Sequence, residues 1–267
     1  MLRREHLETA AFRIGYLTLV ALLLLPLLII ISTSITESSY LSFPPEEISL
    51  RWYYEFLASD RWINAMKNSL ITSTGTMLLS TTLGVLAALG VQGSRGKLSK
   101  LVVPLVLLPL LIPAVVTAVT LLTFYSELGI QQSYIGIILA QSLWATPLVF
   151  FIMQSVFARF DWDLRDAGLD LGASPVRAFW EVVLPGVRNG IFASMLIAFI
   201  ISLQEFVMAL FLSGFDSRTV PVLAYISLRE ILDPVVSVVS TVMIGAAVII
   251  VAGASLAIGL NQLSKNL

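Results

Sequence analysis

The 267-residue sequence has no cysteine and one histidine, His6. The first absence excludes disulfides, thiolate metal ligands and a cysteine nucleophile. The second excludes a multi-histidine metal site, and His6 lies in a polar N-terminal stretch, where we read it as a solvated tail residue. No catalytic residue, metal ligand or cofactor is therefore expected. Charge is also scarce. Only 12% of residues are charged, about half of the ~25% usual in soluble domains. A net charge of −1 leaves no basic footprint for nucleic acid. With 57% hydrophobic residues and a mean hydropathy of +0.91, the chain has too little polar surface for a globule in water. It reads as an all-α integral membrane protein.

Crossing a bilayer takes roughly 20 mostly apolar residues. Six stretches qualify: Ile14 to Ser34, Ser69 to Val91, Leu101 to Phe124, Ser133 to Ala158, Gly190 to Ser213 and Val235 to Leu260. The first is longer than a signal-peptide core and no small-residue cleavage site follows Ile31, so a retained anchor is expected. With the N-terminus in the cytoplasm, the inner side carries Arg3, Arg4, Arg13, Arg95, Lys97, Lys100, Arg159, Arg165, Arg177, Arg188 and Lys265. The outer side carries only Arg51, Arg61, Lys67, Arg218 and Arg229. That asymmetry places both termini inside. Nine acids fall on the outer side, among them Glu37, Glu46, Glu47, Asp60 and Asp216. They form a negative mouth favouring cations, or simply fill loops from which bases are excluded.

The third stretch contains Pro104, Pro109 and Pro113, which predicts a bent helix packed in the bundle. Glu205 is the acid within a span. Acids there cost about 2.5–3.5 kcal/mol on insertion scales, so Glu205 should face protein or a wet cavity. Two readings stand: with Gln204 it lines a solute path, or it is a structural acid. Trp144 offers a cation–π face to a cationic solute, or is packing. Gly93-Ser-Arg-Gly-Lys97 lacks the spacing and hydroxyl of a phosphate-binding loop, so energy from ATP would have to come from another chain. No internal repeat is evident.

The longest inner loop, within residues 159–189, predicts two short helices. Asp163 is a candidate N-cap with Asp166 three residues on. Gly172 is a candidate left-handed stop. Ser174 caps the second helix and Pro175 fits its first position, with Pro185 near its end. Val176, Phe179, Trp180 and Val183 form a stripe too short to span, suited to the bilayer surface or to a partner's groove.

This loop resembles the EAA motif of binding-protein-dependent ABC importer permeases: Glu-Ala-Ala, three residues, Gly, nine residues, Ile-x-Leu-Pro. Here Asp166-Ala167-Gly168, Gly172 and Val182-Val183-Leu184-Pro185 keep both spacings. Asp replaces Glu, Gly the second Ala, and Val the Ile. The resemblance implies a six-helix bundle of the type I importer kind and assigns ATPase coupling to Asp166, Ala167, Gly168, Gly172, Ala173, Ser174, Pro175, Leu184 and Pro185. It also implies a second permease subunit, completing a heterodimer, a cytoplasmic ATPase dimer and a periplasmic solute-binding protein. Phe43-Pro-Pro, Ser49-Leu-Arg-Trp-Tyr53, Asn68-Ser-Leu70, Glu205-Phe-Val207, Phe211-Leu-Ser-Gly214 and Val220-Pro-Val-Leu223 resemble the spermidine/putrescine class of permease. Phosphonate and opine permeases share much of this pattern.

The expected organisation is a tail, first helix and outer loop over 1–67, then a permease core over 68–260. The segments Phe43–Lys67 and Gly214–Pro234 are expected to face the solute receptor, and Glu205, Gln204 and Trp144 to line the path of a polyamine-like solute. The readings from other classes are a membrane enzyme, disfavoured by the lack of convergent acids and histidines, and a transporter or channel not driven by ATP.

Overall fold

The computed structural model describes residues 2–93, 97–230 and 233–263. Arg95 and Lys265 of the inner-side count, residues 94–96 of the Gly93–Lys97 segment, and 231–232 of the second outer segment lie outside the described residues, as do the side chains of His6, Arg3, Arg4, Lys97 and Lys100. The chain is a succession of helices: α1 (Leu2–Thr33), α2 (Arg51–Ala58), α3 (Asp60–Gly93), α4 (Lys97–Leu107), α5 (Ala114–Leu128), α6 (Tyr134–Arg159), α7 (Asp163–Asp170), α8 (Pro175–Ala178), α9 (Leu184–Gln204), α10 (Val207–Leu212), α11 (Val220–Glu230) and α12 (Val235–Leu263). Among the described residues, five runs are long and apolar enough to cross a membrane: Phe12–Thr33, Asp60–Gly93, Tyr134–Arg159, Pro175–Gln204 and Val235–Gly253. The bent pair 101–111 and 114–128 makes a sixth.

The chain divides into two compact units, 1–63 with 224–246, and 64–223 with 247–267. In the first, Thr33 at the end of α1 donates to Ser237 on α12 at 3.1 Å, and Ser34 shares a hydrogen bond with Tyr53 on α2 at 2.9 Å. An antiparallel bridge between Thr36 and Ile48 closes the intervening loop. No residue from 12 to 32 is buried. That apolar surface suits lipid, in which unburied leucine carries no penalty.

The second unit is built around α6. Val85 and Ala88 of α3, Val149, Phe150, Met153 and Phe157 of α6, and Val187 and Ala198 of α9 share one buried cluster. Glycines allow this close approach. A Cβ on Gly84 would lie 2.6 Å from Val149 and 3.0 Å from the Phe150 nitrogen, and one on Gly190 would lie 2.5 Å from Val156. Lipid tails are as apolar as leucine, so membrane helices associate through such small-residue contacts.

Three spans depart from the sequence reading, and the second does so by beginning at Asp60 rather than Ser69. The third is bent as expected, but so sharply that the helix breaks, with an angle of 95° between its halves. Pro113 disfavours helical geometry at the residue before it, and Ile112 is extended, at φ −96° and ψ 130°. This span packs on one face only: Val102, Val103 and Val106 touch the core, while Leu105, Leu108 and Leu111 are exposed. The fifth span begins earlier and ends earlier than Gly190 to Ser213. Its helical run is Pro175–Gln204. At 1.5 Å per residue these 30 residues reach about 45 Å, against a hydrocarbon core of about 30 Å. The run therefore exceeds the core by roughly ten residues, and the charged residues Arg177 and Glu181 both fall near its start.

Candidate functional site

The elbow between α6 and α9 follows from local chemistry. Trp162 starts it: its indole N–H donates to the Phe157 carbonyl at 3.0 Å and its ring meets Phe160 edge-on at 5.2 Å. α7 then runs Asp163–Asp170. Asp163 is its first residue and not its cap, a correction. Asp161 Oδ1 accepts the Asp163 N–H at 3.1 Å, while the Asp166 N–H bonds to the Trp162 carbonyl, so no box forms between Asp163 and Asp166. The stop at Gly172 is as expected. It has φ 90°, and the Ala173 and Gly172 N–H groups bond to the carbonyls of Gly168 and Leu169 at 3.1 and 2.9 Å. That is a Schellman closure. Ser174 Oγ accepts the Arg177 N–H at 3.2 Å, and Pro175 opens α8.

The second short helix does not stop at Pro185, a further correction. A π turn over Phe179–Val183 carries it into α9, with the Leu184 N–H bonded to the Phe179 carbonyl. In an α-helix the Pro185 ring would strike the carbonyl four residues back; the wider π turn immediately before it relieves that clash. The apolar stripe divides. Val183 is buried and Phe179 packs on the core, while Val176 and Trp180 are 67% and 62% exposed. Leu171, at the tip, is 90% exposed. Asp166 is exposed beside Arg165, 3.2 Å away. Gly168 faces Val182, and a Cβ there would make an ordinary 3.6 Å contact. Gln92 at the end of α3 joins Trp162, Arg165, Pro175, Val176 and Phe179 around a groove of about 880 Å³.

The second candidate lies where α9 ends. Glu205 is not inside a continuous helix, as the sequence reading had it. It is extended, at ψ 121°, and its two oxygens accept the Met208 and Ala209 N–H groups of α10 at 2.8 and 3.1 Å. The carboxylate thus satisfies the backbone donors that the break exposes. Gln141 on α6 donates to Glu205 Oε2 at 3.4 Å, and its own carbonyl accepts from Ser202 and from Thr76 on α3. Gln204 is exposed and, on the next position, is not part of this network. Trp144 packs in a cluster with Ala118, Tyr125, Met208 and Leu212, and its indole N–H has no partner among the described residues. Sequence reasoning missed Gln141. The signal was an amide in the first half of a mostly apolar 26-residue helix.

At the other end of this unit, Asn68 binds three groups. Its Nδ2 donates to the carbonyls of Asp216 and Arg218 at 2.8 and 2.9 Å, and its Oδ1 accepts from Tyr134. Ser69 Oγ accepts the Val220 N–H. The Asn68-Ser69 pair therefore pins the loop before α11. Lys67 belongs to α3, and the Gly214–Pro234 segment contains α11, so neither outer segment is all loop as expected.

Residues 80–265 match the family described as binding-protein-dependent transport system inner membrane component. The chain belongs to this family. The permease is 29% identical to the putrescine transport system permease protein PotI of Escherichia coli strain K12, over 76% of this chain and 74% of that one. Identity to the spermidine/putrescine permease PotC of Haemophilus influenzae is 27%, over 84% and 87%. Identity to the molybdenum permease ModB of Mycobacterium bovis is 28%, over 82% and 91%. Among solved structures, a bacterial ABC transporter involved in alginate import superposes with a TM-score of 0.72 at 14% identity, over 96% of this chain and 97% of that one. The MetNI methionine ABC transporter gives 0.59 at 16%, over 76% and 98%. At such identities these structures establish the fold alone, that of an all-α type I importer permease. The permease is a transport subunit of an ABC importer, not an enzyme.

Proposed function

We propose that this permease passes a small cationic solute of the polyamine type, spermidine or putrescine, from a periplasmic binding protein to the cytoplasm. In this reading it pairs with a second permease subunit and is driven by a cytoplasmic ATPase dimer, with both of its termini inside. The elbow carries the proposal. A Schellman-closed α7, a Ser174-capped α8 and an unbroken helical passage into α9 form one lever from an exposed tip at Leu171 to Glu205. Motion imposed on Asp166 through Pro185 by the ATPase would thus reach the span that ends at Glu205.

Glu205 supports the cationic solute. It directly follows the apolar run Pro175–Gln204, and among the described residues no lysine or arginine forms an ion pair with it. Trp144 and Gln204 accompany it along the proposed path. The names of the PotI and PotC relatives support the same class, while the ModB likeness is the reason to test it.

The test is uptake by the chain reconstituted with its companion subunits. Asp166→Lys should abolish ATP-driven uptake with the protein still inserted at wild-type amount. Glu205→Gln should reduce putrescine uptake about tenfold or more, as loss of one charged contact does, with unchanged accumulation. Normal uptake by Asp166→Lys would remove the elbow assignment. Normal uptake but poor accumulation of Glu205→Gln would make the acid structural.

A further inference from the structure

Gln141 is 2% exposed in the first half of the central helix. Burying an amide is costly unless its hydrogen bonds are made. Methionine or leucine would fill a similar volume without that penalty. Here the bonds are made, and they join three helices. Oε1 accepts from Ser202 Oγ at 2.5 Å and from Thr76 Oγ1 at 3.3 Å, and Nε2 donates to Glu205 Oε2 at 3.4 Å. The amide therefore ties α3, α6 and the end of α9 to one carboxylate.

Glu205 Oε1 and Oε2 each hold a short bond to the backbone of α10, and the contact with Gln141 is the longest of the three. Oε2 is thus the oxygen that a side chain holds as well as the backbone. It is also the one with the weakest donor for an incoming ammonium to displace.

We propose that Gln141 is a positioning residue for solute recognition, holding the Glu205 carboxylate so that it meets a single ammonium group of a passing amine in one fixed geometry. The inference rests on the reading of Glu205 as a path residue. It goes further in assigning a specificity role to a neutral side chain on a different helix. Ser202 and Thr76 hold the amide in the orientation that presents its N–H, and a shorter side chain cannot do so. Asparagine at 141 keeps the polarity but loses a methylene of reach.

The experiment uses the full transporter in lipid nanodiscs and two variants, Gln141→Leu and Gln141→Asn, so that poor folding of one leaves the other. Dicyclohexylcarbodiimide, which attacks carboxyls in apolar surroundings, is applied and modification of Glu205 is followed by peptide mass spectrometry. Glu205→Gln is the blank. Both variants should label several-fold faster than wild type, because the carboxylate has lost its side-chain donor. Their KM for putrescine should rise about tenfold, the worth of one charge-assisted hydrogen bond, with kcat within about twofold. In the Glu205→Gln background, Gln141→Asn should add nothing to KM. Unchanged labelling, or a KM effect that persists fully without Glu205, would overturn the proposal. Faster labelling in the variants, with no protection by putrescine or spermidine and no uptake of either, would leave the positioning role standing and remove the amine as solute.

Discussion

Gly84 and Gly90 lie on the same helix, yet the structure treats them differently. A side chain on Gly84 meets Val149 and the backbone of Phe150, whereas one on Gly90 meets nothing within 4 Å. Backbone cannot yield as a flexible side chain can. Gly84→Leu should therefore lower the unfolding midpoint of the purified chain, at a cost of at least about 1–3 kcal/mol for overpacking. Gly90→Leu should leave the midpoint unchanged, and similar losses for both would refute the packing argument. At this scale the sequence was only partly legible. Gly172, Ser174 and Pro175 act through bonds to their immediate neighbours, and all three were readable. Asp163 was misread because Asp161, two residues earlier, takes its N–H. Glu205 was noticed for its charge, but not as the residue at which the span breaks. Its partners Met208, Ala209 and Gln141 come together only once α10 and α6 are in place. Gln141 was overlooked because an amide carries no charge to draw attention, although its burial is also costly unless its hydrogen bonds are made.

The elbow shows how elements inherit their form from single residues. Gly172 sits at φ 90°, where L side chains are strained and proline, fixed near −65°, cannot go. Its N–H also bonds to Leu169, and proline has none to offer. Gly172→Pro should open the turn between α7 and α8 and abolish transport with insertion intact. Gly172→Asn should retain much of the activity, since asparagine tolerates the left-handed region. Equal loss in both would mean that the bare space at Gly172, and not its backbone geometry, matters. The run from Pro175 to Gln204 was legible as two pieces but not as one. Reading Pro185 as a terminus is the sound local inference. The π turn that overrides it forms where Gly186 lets the helix settle against Phe160, 2.5 Å from where a Cβ would stand, and no window around Pro185 contains that contact. The three prolines of the third span were a better guide, since Pro113 breaks the helix through its effect on Ile112 alone.

The whole molecule turns on sidedness, which rests on the distribution of lysine and arginine. The 64–223 unit provides its own test. Leu171 at the elbow tip and Phe215 in the loop pinned by Asn68 are 90% and 80% exposed. They flank opposite ends of α9, which at 21 residues is about 32 Å long, enough to separate them by a full bilayer core. The native chain has no cysteine, so Leu171→Cys and Phe215→Cys each introduce one thiol into a silent background. In intact spheroplasts an impermeant maleimide should label the thiol at 215 rapidly and the one at 171 only after permeabilisation. Removing Arg159 and Arg165 together, by substitution with glutamine, should weaken the retention of the elbow on the inner side and raise labelling at 171. Labelling of 171 from outside in the otherwise native chain would put the elbow beyond the reach of any cytoplasmic ATPase. The lever from Leu171 to Glu205 would then have nothing to move it.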